Sequence, residues 1–144
     1  MPGSKRVRVP CPVFKTIQAA AERGLDFIAI TDHNTTSQFE AMRELQPFFD
    51  RLLLIPGREI TTFYGHANVF GPVDFIDFRL GIAALQNKVK ELHGLLSINH
   101  PMAPSGEVCM GCGWTVANAD FRQLEAVDAV NGGIAEGQYS GIPS

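Results

Sequence analysis

The chain has 144 residues with 12 Lys+Arg against 15 Asp+Glu, a formal net charge of −3, and this length fits a single domain. At 45% hydrophobic and 19% charged residues, the composition is that of a soluble globular protein and excludes disordered chains, collagen and coiled coils. The acidic balance argues against a nucleic-acid partner, because such a module needs a basic face to neutralise phosphates.

The sequence shows no sign of membrane insertion or export. Its longest apolar runs, at 27–30 and 52–56, fall far short of the ~20 residues that a transmembrane helix needs. No apolar stretch of signal-peptide length follows Met1. Three cysteines, an odd number, suit a reducing compartment better than a disulfide framework. The sequence therefore predicts a cytoplasmic protein with no membrane partner.

Three amphipathic helices are predicted from apolar residues that recur every three or four positions. The first ends at Gly24, the second begins near Ser37 in a capping-box pattern with Glu40, and the third ends at Gly94. The apolar faces are Val13, Phe14, Ile17, Ala20 and Ala21 in the first helix, Phe39, Met42, Leu45 and Phe49 in the second, and Ile82, Leu85, Val89 and Leu92 in the third.

Short apolar runs between these helices predict strands. They lie at residues 26–31, 51–55, 59–63, 66–70, 95–99 and 126–130, with a long loop at 102–117 and a short helix at 120–124. Helices that alternate with wholly apolar strands indicate an α/β fold whose mostly parallel sheet is covered on both faces. Such folds bind ligands at the carboxyl ends of their strands.

Polar side chains gather at the predicted strand ends. They are Asp32, His33, Glu59, His66, Asn99, His100 and Asn131. The fourth histidine, His93, falls in the last turn of the third helix, where a basic group suits the helix dipole, and it serves as an internal control.

Each of these residues has an ordinary structural explanation when it is considered alone, as a turn residue or a satisfied sheet residue. Together they indicate a metal site, because a divalent ion binds neutral imidazole and carboxylate groups. Glu59, His66 and His100 form a His₂Glu set with room for water. A metal in such a set lowers the pKa of bound water to about 7, and metal-assisted hydrolysis is the reaction class that follows.

Four segments resemble the successive motifs of the PHP (polymerase and histidinol phosphatase) superfamily. They are residues 24–34, 56–62, 65–68 and 99–101. The loop at 109–114 and the segment at 130–133 are similar to the carbaryl-hydrolase-like metallohydrolase branch of that superfamily. The resemblance covers residues 13–144 as a partial metallohydrolase domain and leaves residues 1–12 as an unmatched N-terminal tail.

The resemblance implies a distorted (β/α)₇ barrel with a centre of Zn, Mn or Fe that hydrolyses phosphate, carboxylic or carbamate esters of small molecules. It makes His33, Glu59, His66 and His100 metal ligands, and it makes Asp32, His33 and Glu59 the catalytic group, with Asp32 orienting a ligand or water. Three further residues are expected in the substrate pocket, namely Asn99, Trp114 and Asn131.

Two superfamily motifs are missing, a His-x-His strand before the first helix and a Ser-Asp-x-His-like strand at the end. The resemblance therefore implies an incomplete barrel that lacks its first and last strands. We expect at most one well-formed metal site, weak or absent catalysis, and exposed sheet edges that favour homo-oligomers. The alternatives are a non-catalytic metal-binding fragment that needs the missing strands, and a structural domain without metal whose histidines point apart.

The pair Cys109-x-x-Cys112 has the spacing of a metal knuckle, but the sequence offers no second cysteine pair of this kind. Three interpretations stay open for it: a reduced structural loop, a local disulfide, and a lining of the substrate pocket. Trp114 is expected either as an apolar wall for substrate or as core packing.

Overall fold

The computed structural model describes residues 12–107 and 109–132. Residues 1–11, with Cys11 and the basic residues near the N-terminus, lie outside the described residues, as does the last residue of the 130–133 segment, Gly133. The described helices are α1 (Val13–Glu22), α2 (Gln38–Leu45) and α3 (Ile82–Glu91). The strands are β1 (Phe27–Ile30), β2 (Leu53–Thr61), β3 (His66–Phe70), β4 (Leu95–Ile98) and β5 (Ala126–Val127), and short 3₁₀ helices cover Gln46–Phe48 and Phe121–Gln123.

The five strands form one curled sheet, a half-barrel in the order β1-β2-β3-β4-β5. The pairs β1–β2 and β4–β5 are parallel, whereas β3 is antiparallel to both β2 and β4. The α/β class is confirmed, but the prediction of a mostly parallel ladder is wrong for half of the strand pairs. The reason is the short connection after Thr61, which closes a hairpin and reverses β3.

Residues 51–55 and 59–63, predicted as separate strands, belong largely to the single strand β2. Pro56 does not interrupt it, since its carbonyl accepts a hydrogen bond from the Gly71 amide at 2.8 Å. The Gly57 carbonyl accepts another from the Gln38 side chain, also at 2.8 Å. Other predicted boundaries shift too, and the last strand shortens from 126–130 to two residues.

The helices cover one face of the sheet, as their apolar stripes predicted. One buried cluster joins Ile17 of α1 and Met42 of α2 to Ile30 and Leu54. A second joins α3 to β2, β3 and β4, and consists of Ile60, Ala67, Val69, Val73, Ile76, Leu85, Val89 and Leu96. The prediction of a capping box at the start of α2 is wrong, because the Ser37 side chain does not cap the helix.

The opposite, concave face carries no helix within the described residues, so the prediction of cover on both faces is not met there. Phe27, Leu53 and Leu95, each near the start of its strand, are 62%, 59% and 55% exposed. Phe27 pairs with Leu53 in the ladder, and Leu95 pairs with Phe70. An apolar patch therefore lies at one end of the concave face. None of the described helices has both the length and the apolar character needed to cross a membrane.

Candidate metal centre

The reversal of β3 brings its first residue to the same edge as the carboxyl ends of β1, β2 and β4. His66 opens β3 opposite Thr61, while His33 lies beyond β1 in an isolated parallel bridge with Glu59. His100 follows β4 by two residues. The structure thus gathers three of the four histidines around one carboxylate.

The Glu59 carboxylate is the centre of this cluster. His66 Nδ1 lies 3.1 Å and His100 Nε2 lies 3.3 Å from Glu59 Oε1. His33 Nδ1 lies 3.5 Å from the other oxygen, Oε2. His66 and His100 also stack edge to face, with ring centroids 5.1 Å apart. The histidines therefore do not point apart, which removes the support for a structural domain without a shared site.

Burial raises the pKa of Glu59, but hydrogen bonds from His100, His66 and Asn99, together with the nearby His33, outweigh burial and hold that pKa far below its usual range. The same contact with Glu59 raises the pKa of His100, against the effect of burial. Glu59 is therefore an anion at neutral pH, the form in which a carboxylate binds a cation.

His66 gives a direct test of whether a cation fits. It is buried, its Nδ1 faces the Glu59 carboxylate, and its Nε2 lies 3.0 Å from the Met110 carbonyl oxygen. Both neighbours are hydrogen-bond acceptors, and a neutral imidazole has only one N–H to donate. Either a second ring proton or a cation between Nδ1 and Glu59 completes this arrangement, and the carboxylate and imidazole donors fit a divalent metal.

Two residues outside the predicted set hold His33 in place. His33 Nδ1 lies 2.6 Å from Thr61 Oγ1. Asn34, at φ 49°, accepts from the Thr61 amide at 3.0 Å and donates to the Thr61 carbonyl at 3.2 Å. The side chain of Asn34 thereby extends the β1–β2 ladder to the end of β2. Asn tolerates the left-handed backbone region better than most residues do, which is the signal that sequence reasoning could have used.

His100 is held by its backbone. Its φ of 26° is positive, a conformation that costs a non-glycine residue of the order of 1–3 kcal/mol. Its amide donates to Asp128 Oδ2 at 3.3 Å, and its Nδ1 is buried without a hydrogen-bond partner among the described residues. Asn131 donates to the same Asp128 oxygen, also at 3.3 Å. Asp128 was missed because nothing in its local pattern signals this long-range contact.

The remaining predicted residues differ in whether their side chains contact the Glu59 carboxylate. Asn99 is buried against Glu59, so it contacts the carboxylate. The side chain of Asp32 is exposed, and its carbonyl oxygen accepts the Glu59 amide at 3.2 Å. His93 follows α3 at φ 55°, just past the helix rather than in its last turn.

The ligand atoms of His33, Glu59 and His66 all lie within 4.8 Å of one another. This trio differs from the predicted trio of Glu59, His66 and His100, although His100 lies 3.3 Å from Glu59 Oε1 and stacks on His66. This trio therefore includes the most exposed of the three histidines around Glu59, since the side chain of His33 is 65% exposed. A metal held there would face solvent on the side of His33.

Trp114 takes the core-packing role, and its role as a wall for substrate stays a prediction. It packs against the cluster beneath α3, and it lines an apolar cavity of about 530 Å³ with residues of the 62–65 and 78–82 segments. None of the four candidate metal ligands lines this cavity. Trp114 therefore belongs to a cavity next to the centre rather than to the centre itself.

The cysteine loop lies directly over His66. Cys109 and Cys112 form a disulfide, so the structure shows the second of the three open interpretations rather than a reduced loop. Gly111, at φ 79°, packs so closely that a β-carbon there would come within 1.9 Å of the Thr62 carbonyl oxygen. The loop is thereby pressed against the turn that connects β2 and β3.

We expect Gly111→Ala to lower the free energy of unfolding by about 2 kcal/mol, through the positive φ and the clash with Thr62. Gly106→Ala in the same loop is the matched control, because nothing lies within 4 Å of its added carbon, and its effect should stay within about 0.5 kcal/mol. Urea unfolding of both variants measures the difference. Equal effects would show that the loop is not held against Thr62.

Two of the known proteins similar to this chain are distant in sequence. No protein-family model matches the chain. An uncharacterized protein of Methanocaldococcus jannaschii is 29% identical over 115 residues, which cover 78% of this chain and 64% of that protein. A solved two-domain protein of Bacteroides vulgatus, described as containing a predicted PHP-like metal-dependent phosphoesterase, is 25% identical with a TM-score of 0.48. That match covers 60% of this chain and 29% of the other.

The chain thus spans less than two thirds of the length of either similar protein. With a TM-score of 0.48, the structural similarity supports no functional assignment. The function of this chain is therefore inferred from its own residues.

Proposed function

We propose that this chain carries the metal centre of a divalent-metal-dependent hydrolase. The observation that carries the proposal is the convergence of three imidazoles on one ionised carboxylate, with His66 placed between two acceptors. Glu59 supplies the anionic oxygens, and His33, His66 and His100 supply neutral nitrogens. Such a donor set suits Zn, Mn or Fe, and the donor atoms do not choose among these metals.

When bound, the metal would supply a water of lowered pKa and a Lewis acid for the substrate oxygen. The residues of the chain hold the geometry for that chemistry. The Asp32 carbonyl holds the Glu59 backbone amide, Asn99 supports the Glu59 carboxylate, and Thr61 orients His33. His33 stands at the solvent side, where a small substrate enters. Asp32, also exposed there, is proposed to orient water.

The finer proposal follows the sequence resemblance to the PHP superfamily and its carbaryl-hydrolase-like branch. It gives small phosphate, carboxylic or carbamate esters as substrates, with Asn99, Trp114 and Asn131 near the substrate. The contact of Asn99 with Glu59 supports this for Asn99. Trp114 would act through its cavity, and Asn131 through Asp128. A cytoplasmic location is part of the same proposal.

The test is elemental analysis of protein purified without added metal, followed by hydrolysis assays. We expect about one ion per chain, as for a single closed ligand set. A chelator should abolish hydrolysis of chromogenic phosphate, carboxylic and carbamate esters, and one of Zn²⁺, Mn²⁺ or Fe²⁺ should restore it. Hydrolysis that a chelator leaves unchanged, or protein without metal affinity, would contradict the proposal.

The second candidate is a metal-binding part that turns over substrate only when other strands complete it. The exposed apolar patch on the concave face favours this candidate, since large exposed patches mark surfaces that bind something. Contact between two copies through their sheet edges would be one such completion. Metal bound at about one ion per chain without any hydrolysis would select this candidate over the first.

A further inference from the structure

The second feature next to His66 is the pair of cysteines, which the proposed hydrolase does not use. His66, Cys109 and Cys112 each offer one ligand atom, and these atoms all lie within 4.8 Å of one another. Cys112 and His66 are buried, and Cys109 is half-buried. The cluster is therefore a second potential ligand set that shares one histidine with the first.

The two nitrogens of His66 face the two sets separately. Nδ1 lies 3.1 Å from Glu59, whereas Nε2 lies 3.0 Å from the carbonyl of Met110, the residue that follows Cys109. One imidazole thus connects the Glu59 cluster to the cysteine loop. Whatever binds Nε2 determines which proton His66 carries on the other side.

The loop has the spacing and geometry of a metal-binding turn. Two cysteines three positions apart, with their Cα atoms 5.4 Å apart, match the Cys-x-x-Cys spacing of zinc sites. Around a tetrahedral Zn²⁺, bonds of about 2.1–2.3 Å place neighbouring ligand atoms roughly 3.3–3.8 Å apart. Reduction of the disulfide frees the two sulfurs to separate to this distance. The histidine nitrogen and the sulfurs, which already lie within 4.8 Å of one another, then need to approach only slightly.

We infer that, in the reduced protein, Cys109, Cys112 and His66 Nε2 bind a thiophilic divalent cation such as Zn²⁺, and that the disulfide form releases it. Two thiolates and one imidazole, with an open fourth position for water, are a ligand set that zinc uses in proteins. This site goes beyond the proposed hydrolase centre and stands without it, since it needs neither Glu59 nor His33.

The two forms place His66 in opposite tautomers. In the disulfide form, Nε2–H donates to the Met110 carbonyl and leaves the Nδ1 lone pair for a cation beside Glu59. In the reduced, metal-bound form, Nε2 binds the ion and Nδ1–H donates to Glu59, as a carboxylate commonly supports a metal-bound histidine. The redox state of the loop therefore decides which of the two ligand sets His66 serves.

The oxidation step balances with a small-molecule disulfide such as oxidised glutathione as the oxidant. One cysteine thiolate attacks this disulfide, forms a mixed disulfide and expels one thiolate. The second cysteine thiolate then attacks the protein sulfur of that mixed disulfide and expels the other thiolate. Each chain loses two electrons to the oxidant, two molecules of the small thiol form after taking up two protons, and the divalent ion leaves.

Cobalt titration of the reduced protein tests the site. Cys11→Ser is the background, because it removes the third thiol of the sequence and is a matched cysteine-to-serine control. We expect Co²⁺ to give a sulfur-to-cobalt charge-transfer absorption in this background. Adding Cys109→Ser and Cys112→Ser should abolish it. Absence of the band in the background, or its persistence in the triple variant, would overturn the proposal.

Two further arms separate this site from the hydrolase centre and from misfolding. Glu59→Gln should keep the charge-transfer band even where it loses hydrolysis, and loss of the band in that variant would contradict an independent site. Cys109→Ser alone changes a half-buried position, so it should weaken the band while the far-ultraviolet circular dichroism stays unchanged. Oxidised glutathione should erase the band and a phosphine reductant should restore it, whereas a band that survives oxidation would overturn the release.

Discussion

Glu59→Gln is expected to remove bound metal from the Glu59 centre and to reduce ester hydrolysis by a factor of at least about 100. The carboxylate is the one anion among the four candidate ligands, and it lies within 3.5 Å of all three histidines. Removing a group that only supports a metal ligand typically lowers metal affinity or activity 10–100-fold. Removing the ligand itself should lower them by more. Elemental analysis and hydrolysis assays on the same preparation measure both effects.

Glu40→Gln is the matched control for this change. Glu40 is an exposed residue of α2 that pairs with Arg43 on the same helix, and exposed pairs of this kind contribute little. It should keep the metal content and the hydrolysis rate of the unchanged protein. With Cys109 and Cys112 held in their disulfide, metal binding that survives in Glu59→Gln at the original level would show that the centre lies elsewhere.

Leu96→Ala is expected to lower the free energy of unfolding by about 3 kcal/mol, because it leaves a cavity in a close-packed cluster. Leu96 is 1% exposed and packs beneath α3 with Val69 and Leu85. Denaturant unfolding measures the change. Such a loss is a large part of the total stability of a small domain.

Leu95→Ala on the same strand is the matched control, and its expected effect is below about 1 kcal/mol. Leu95 points to the concave face and is 55% exposed. The two variants remove the same side chain from opposite faces of one strand. An equally large loss in Leu95→Ala would show that the concave face is covered in solution, and dependence of that loss on protein concentration would identify a second copy as the cover.

The helices were predictable because their apolar residues recur at helical spacing and their burial follows that spacing. Val89 and Leu85 of α3 illustrate this, since both are buried in the cluster that their stripe predicts. The reversal of β3 was not predictable in the same way. An apolar strand has the same local pattern in either direction, and only the short turn near Gly65 favoured a hairpin.

The candidate site was predictable in its members but not in its grouping. Strand ends indicated where His33, Glu59, His66 and His100 would gather. Which of them share the closest positions depends on long-range geometry, and the sequence pattern favoured His100 over His33. The Asn34–Thr61 clamp and the Asp128 contact to His100 are pairings between distant segments, which local patterns do not encode.

The hairpin of β2 and β3 also determines the order in which the centre can be assembled. Glu59 and His66 are seven positions apart, whereas Glu59 and His100 are 41 positions apart, and the entropy lost on closing a loop grows with its length. The carboxylate and its first imidazole therefore meet within one local turn of chain. His100 and His33 join only when β4 and β1 pair with the hairpin, so loss of either pairing removes one imidazole and leaves the Glu59–His66 pair intact.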